Sequence, residues 1–170
     1  LLYSKKGIPV SEAYELIEYV AIATIGDICD LRDENRIIVK EGLAALKYST
    51  NKGLNALISL NNLNAEALNA YHIGFVIGPC LNASGRLETA QKALSLLSCS
   101  TNEEAVSLAS ELINLNISRK SMTEEYTEKA IQLIEHSEIK KDRVLVVYLP
   151  DCHESLAGII AGRIKERDSR

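Results

Sequence analysis

The sequence predicts a mostly helical fold with a short α/β portion near its end. Three observations carry this. Apolar residues recur at helical spacing along most of the 170 residues. No Gly or Pro interrupts positions 101–141, which predicts one helix of about 35 residues, roughly 50 Å long. A single stretch, 143–149 (RVLVVYL), has the β-branched, apolar character of a buried strand.

The elements follow in order. Pro9 and Ser11 mark a helix start, with Ser11 a candidate N-cap, and Ala13, Leu16, Ile17, Val20 and Ala21 supply the apolar spacing. A second amphipathic helix is expected over 34–47, ended by Asn51-Lys52-Gly53. Short helices follow over 54–60 and 65–76, separated by Asn61, Asn62 and Asn64. Residues 78–87, GPCLNASGRL, read as a rigid Gly-Pro turn of small and polar residues that ends on Arg86, with a further helix over 87–97. Thr101 and Glu104 form a capping box for the long helix. After the strand, Pro150 breaks the chain, and Asp151 with Glu154 reads as a second capping box for a helix over 155–167. With no Trp and one Phe, the core must be filled by Leu, Ile and Ala.

Composition narrows the function. No apolar run reaches the roughly 18 residues needed to span a membrane. Cys29, Cys80, Cys99 and Cys152 are scattered with no CxxC pairing, which argues against a zinc ribbon or redox motif and fits free thiols in a cytoplasmic protein. A net charge of −4 counts against a broad basic nucleic-acid face but leaves room for a local groove. The chain starts on Leu1 rather than Met and stops on a charged helical pattern, as a piece of a longer protein would.

Two local patterns suggest chemistry. Asp27 and Asp30 lie three apart, within reach of one helical face; paired carboxylates suit Mn²⁺ or Mg²⁺, and equally serve as caps or partners of Arg32 or Arg36. Arg86 offers a planar, permanently charged fork suited to phosphate, next to small residues that let a backbone come close. Its plainer reading is a surface arginine at a tight junction. His72 and His136 read as structural or solvent-facing.

Four segments, in order, add a family. GPCLNASGRL resembles the "GPR-hydrophobic-NAAGRL" motif of the RecJ family of the DHH phosphoesterase superfamily. Upstream, AIATIGDICDL (21–31) resembles "ALGTIADVxPL", with Glu34-Asn35-Arg36 on its "xNR". Downstream, ASELINLNISRK (109–120) resembles "ANELDxLNxxRK", and YLPDCHESLAGIIAGRIKER (148–167) resembles "xWHxGVxGIxASRxKER".

The resemblance implies an internal fragment with three parts: the C-terminal part of a DHH domain (1–98), a long interdomain helix (99–139) and the beginning of a DHH-associated, nucleic-acid-binding domain (140–170). It implies Asp27 as a metal ligand for Mn²⁺ or Mg²⁺, in a site that is incomplete because the family's Asp-x-Asp and Asp-His-His motifs lie upstream of the matching region. It implies Arg86 as a catalytic group facing the substrate backbone, with Asn82, Arg86, Arg119, Lys120 and His153 on the nucleic acid. Cys80 and Cys152 stand where the family carries Arg and Trp, so one positive contact and one aromatic surface are missing or moved.

The implied parent is a metal-dependent 5′-to-3′ exonuclease of single-stranded DNA in repair and recombination, with single-strand-binding protein or a helicase as partner and no membrane. The fragment alone is expected to be inactive and to self-associate through exposed apolar surface. Two alternatives stay open: a phosphodiesterase for short oligonucleotides or cyclic dinucleotides, and a degenerate, non-catalytic scaffold.

Overall fold

The structure, a computed structural model, describes residues 5–167, apart from the side chain of Val10. Helix α1 (Val10–Tyr14) starts at Pro9, whose extended backbone forms the N-cap with no side-chain bond, so Ser11 is not the cap. The chain breaks for two residues and resumes as α2 (Ile17–Gly26), so the first expected helix is two. Helix α3 (Asp33–Leu46) packs closely on α2 because Gly42 has no side chain. A Cβ there would stand 2.3 Å from Ala21 Cβ and 2.6 Å from the Ile17 carbonyl oxygen.

Helix α4 (Lys52–Leu60) is capped by Asn51, whose Oδ1 accepts from the Leu54 N–H at 2.9 Å. The same side chain donates to the Tyr19 hydroxyl at 2.9 Å and to the Leu97 carbonyl at 2.7 Å, so one amide ties α2 and α4 to the helix α6 (Gln91–Ser98).

The GPCLNASGRL segment is helical, not a turn. One α-helical turn (Ala70–His72) runs into a π-helical stretch (Ile73–Ile77) and then α5 (Gly78–Leu87). Pro79 explains the widened turn. It has no N–H to give back along the helix, and a π-bulge accommodates the missing bond. Gly85 therefore needs no unusual backbone angle, and a Cβ there would meet only Ala90, at an ordinary 3.7 Å.

Helix α7 (Asn102–Glu135) spans 34 residues and starts at Thr101, whose Oγ1 accepts from the Glu104 N–H at 3.2 Å. Two apolar clusters lie along it. In the first, Ala105, Ala109 and Leu112 pack with Leu54, Leu57, Ile73, Ile77 and Leu96. In the second, Met122, Tyr126 and Ala130 pack with Leu156, Ile160 and Ile164. Helix α7 thus runs past two separate apolar clusters.

The stretch 143–149 differs from expectation. It forms no strand among the described residues. Its side chains alternate, with Leu145, Val147 and Leu149 half-buried and Val144, Val146 and Tyr148 exposed. That is the period of a strand, but a strand needs a hydrogen-bonded neighbour, and none is present among the described residues. A 3₁₀ turn (Glu154–Leu156) then leads into α8 (Ala157–Arg167). Its cap is His153, which accepts from the Ser155 N–H, and not Asp151. No helix among the described residues is long and apolar enough to cross a membrane.

Candidate nucleic-acid interface

Arg86 lies in the last turn of α5 and meets the turn before α8. Its Nη1 donates to the Ser155 carbonyl at 3.1 Å, and the Ser155 hydroxyl donates to the Arg86 carbonyl at 2.9 Å. The same hydroxyl lies 2.8 Å from His153 Nδ1, which also accepts from the Ser155 N–H at 3.3 Å. Two residues 69 apart in sequence are therefore clasped in both directions. Arg86 and His153, both expected at the interface, are brought together, with Ser155 between them.

Arg119 lies on α7 facing the same region. Its Nε and Nη2 donate to Asn116 Oδ1 at 3.1 and 3.0 Å. Burial, then the like charges of Arg86 and Arg163, push its guanidinium below the ordinary arginine value. It stays charged at neutral pH all the same. Arg86 and Arg163 thus each sit close enough to Arg119 to repel it, and no carboxylate pairs with any of the three among the described residues.

Arg163 and Asn116 were missed from sequence. Arg163 sat within a charged C-terminal run and only tertiary folding places it. Asn116 did leave a signal, because it falls one turn after Leu112 on a stripe that Ala105, Ala109 and Leu112 keep apolar up to that point. Asn116 is 5% exposed, and its Nδ2 donates to Cys80 Sγ at 3.5 Å. Burial pushes the Cys80 thiol up, while Asn116 and the charges of Lys120 and Arg119 pull it back. Cys80 is thus buried against the arginine cluster, at 1% exposure, rather than presented to a ligand. Lys120 is exposed beside it, and Asn82 is exposed one helical turn before Arg86, on the same side of α5.

Asp27 stands apart from this cluster. It is the exposed C-cap of α2, its N–H donating to the Ala23 carbonyl at 2.9 Å. The chain then turns sharply through Ile28, with φ at 55°, closed by bonds from Ile28 N to Ile25 O and Cys29 N to Thr24 O, both 3.1 Å. The Asp30 carbonyl accepts from Asn35 at 3.0 Å, which anchors the start of α3. Helix α2 packs on both α5 and the π-helical stretch, so Asp27 is fixed to the element that carries Arg86. No group of three His, Cys, Asp or Glu side chains able to hold a metal occurs among the described residues. Asp27 fits the part of a single hard oxygen ligand. An ion that takes about six oxygens would draw the others from elsewhere. His72 accepts from the Asn69 N–H at 3.3 Å and closes a helix cap, and His136 Nδ1 lies 2.9 Å from the Gln132 carbonyl at the end of α7.

No protein-family model matches the chain. The single-stranded-DNA-specific exonuclease RecJ of Dickeya dadantii is 35% identical over 172 residues, which cover 99% of this chain and 30% of that protein. The chain therefore spans less than a third of the relatives it matches. A crystal structure of Thermus thermophilus RecJ in complex with Mn²⁺ superposes with a TM-score of 0.85 at 33% identity, over 99% of this chain and 25% of that one. The same enzyme in complex with Mg²⁺ gives 0.82 at 32%, over 99% and 26%. By sequence and by fold, over essentially its whole length, this chain matches an internal segment of RecJ-type proteins.

Proposed function

We propose that the protein containing this chain is a metal-dependent exonuclease that degrades single-stranded DNA from its 5′ end, in cytoplasmic DNA repair and recombination. One observation carries the reading: Arg86, Arg119 and Arg163 converge from α5, α7 and α8 with no carboxylate to neutralise them among the described residues. Like charges held together are unfavourable, and a string of phosphates relieves the cost. The overall charge of −4 makes this a local groove and not a basic face.

Arg86 spends one N–H on the Ser155 carbonyl and keeps others for a phosphate oxygen, where its charge would offset charge developing on the scissile group. Asn82, Arg119, Lys120 and His153 extend the contact along the backbone. Asp27 offers one carboxylate to Mn²⁺ or Mg²⁺. Bound ions would polarise the phosphate and lower the pKa of a water. In this reading, α7 joins a catalytic domain to a DNA-binding domain that starts near residue 140. A single-strand-binding protein or helicase is the partner of the whole protein. The isolated chain is inactive and self-associates through exposed residues such as Ile28, Tyr71 and Phe75.

The test is digestion of end-labelled single-stranded DNA with Mn²⁺ by the full-length protein, wild type against Asp27→Ala. Shortening from the 5′ end by the wild type alone is expected. Equal cutting by both would make Asp27 structural. Cleavage of dinucleotides but not long strands would favour the small-substrate alternative, and no cleavage at all would favour a scaffold.

A further inference from the structure

Asn116 occupies a core-facing position of α7 that an apolar residue would fill at less cost. Burying an amide is unfavourable unless its polar atoms are bonded. Here both ends are used. Oδ1 takes two N–H groups of Arg119, at 3.1 and 3.0 Å, and Nδ2 gives one to Cys80 Sγ at 3.5 Å. With the thiol on the nitrogen side, the oxygen is turned toward the guanidinium. Arg119 has reason to leave: Arg86 and Arg163 repel it, and a long side chain gains rotamer freedom in solvent. Two bonds to one buried oxygen keep it inward.

We propose that Asn116 is the positioning residue of the polyanion site: it holds the Arg119 guanidinium toward Arg86 and Arg163, and Cys80, donated by α5, orients the amide. The inference rests on the reading of that cluster as a phosphate-binding groove.

The experiment uses the full-length protein and a fluorescent oligothymidylate, with divalent metal chelated so that binding is measured without cleavage. The readouts are affinity and the slope of log K against log salt, for wild type, Arg119→Ala, Asn116→Ala and the double variant. Each lost phosphate contact on a single strand lowers the slope by about 0.7. Arg119→Ala should lower it by that amount and weaken binding on the order of 10-fold, as loss of one charge-assisted bond does. Asn116→Ala should do much the same, and should add nothing once Arg119 is gone.

A wild-type slope in folded Asn116→Ala overturns the proposal. So does an equal loss in both backgrounds, which would make Asn116 merely structural. If Asn116→Ala does not fold, Asn116→Asp carries the test. It keeps the volume and the acceptor, so the slope should fall as Arg119 is neutralised in place, and a wild-type slope overturns the proposal. If Arg119→Ala leaves the slope unchanged, the groove reading of Arg119 fails, and the inference fails with it.

Discussion

Gly42→Ala tests the packing of α2 on α3 together with the proposed metal role of Asp27. The added Cβ would stand 2.3 Å from Ala21 Cβ and 2.6 Å from the Ile17 carbonyl oxygen, so α2 must retreat from α3 by roughly 1 Å to restore ordinary contact. Overpacking costs about 1–3 kcal/mol, and replacing a helical Gly by Ala returns up to about 1 kcal/mol. A net loss of about 1–2 kcal/mol is expected, lowering the melting midpoint by about 2–4 °C per kcal/mol. The displaced helix carries Asp27 at its end, and metal–ligand distances tolerate about 0.2 Å. If Asp27 is the metal ligand proposed above, the Mn²⁺ concentration for half-maximal nuclease activity of the full-length protein should therefore rise. Gly53→Ala is the control. Its Cβ would meet the Leu96 carbonyl oxygen at 2.1 Å, between α4 and α6, near the end of α2 that carries Tyr19 and not the end that carries Asp27. It should lower the midpoint with little change in Mn²⁺ requirement. If Gly42→Ala shifts neither midpoint nor Mn²⁺ requirement, or if both variants shift the requirement alike, the reasoning is wrong.

Two further outcomes are expected. Ser155→Ala removes the hydroxyl that bonds the Arg86 carbonyl at 2.9 Å and lies 2.8 Å from His153. Losing one such bond costs about 1 kcal/mol, so under the proposed function the full-length protein's KM for single-stranded DNA should rise about five-fold, and steady-state kinetics that match wild type would refute the clasp. Burial holds the Cys80 thiol protonated above its ordinary value. The folded state then keeps a proton that the unfolded state loses, so the stability contribution is constant below the ordinary thiol pKa of about 8.5 and falls as pH rises past it. The same burial should shield Cys80 from alkylation until unfolding, and rapid labelling of the native protein, read by mass spectrometry, would contradict that.

Much of this was legible from local sequence. The long helix showed in its uninterrupted spacing and its Thr101 cap, and the overall helical class followed from the apolar periodicity. The GPCLNASGRL stretch misled because Gly and Pro are read as turn residues. Here Pro79 sits near the start of α5, where a π-bulge absorbs its missing N–H, a solution that depends on the preceding helix. The stretch 143–149 shows the alternation of a strand without its pairing, because a ladder depends on a neighbour that the stretch itself does not encode. Arg86 was singled out because it ends a motif. Arg163 and the Asn116–Cys80 link were not, because they arise where α5, α7 and α8 converge, at separations that no local pattern records.

Three arginines, with no carboxylate partner among the described residues, are proposed to form a phosphate groove. The most direct test is the salt slope of oligothymidylate binding by the full-length protein with Arg86, Arg119 and Arg163 all replaced by Gln. At about 0.7 per contact, the slope should fall by about 2 while the fold is retained. A folded triple variant with the wild-type slope would show that the phosphates lie elsewhere and would contradict the account.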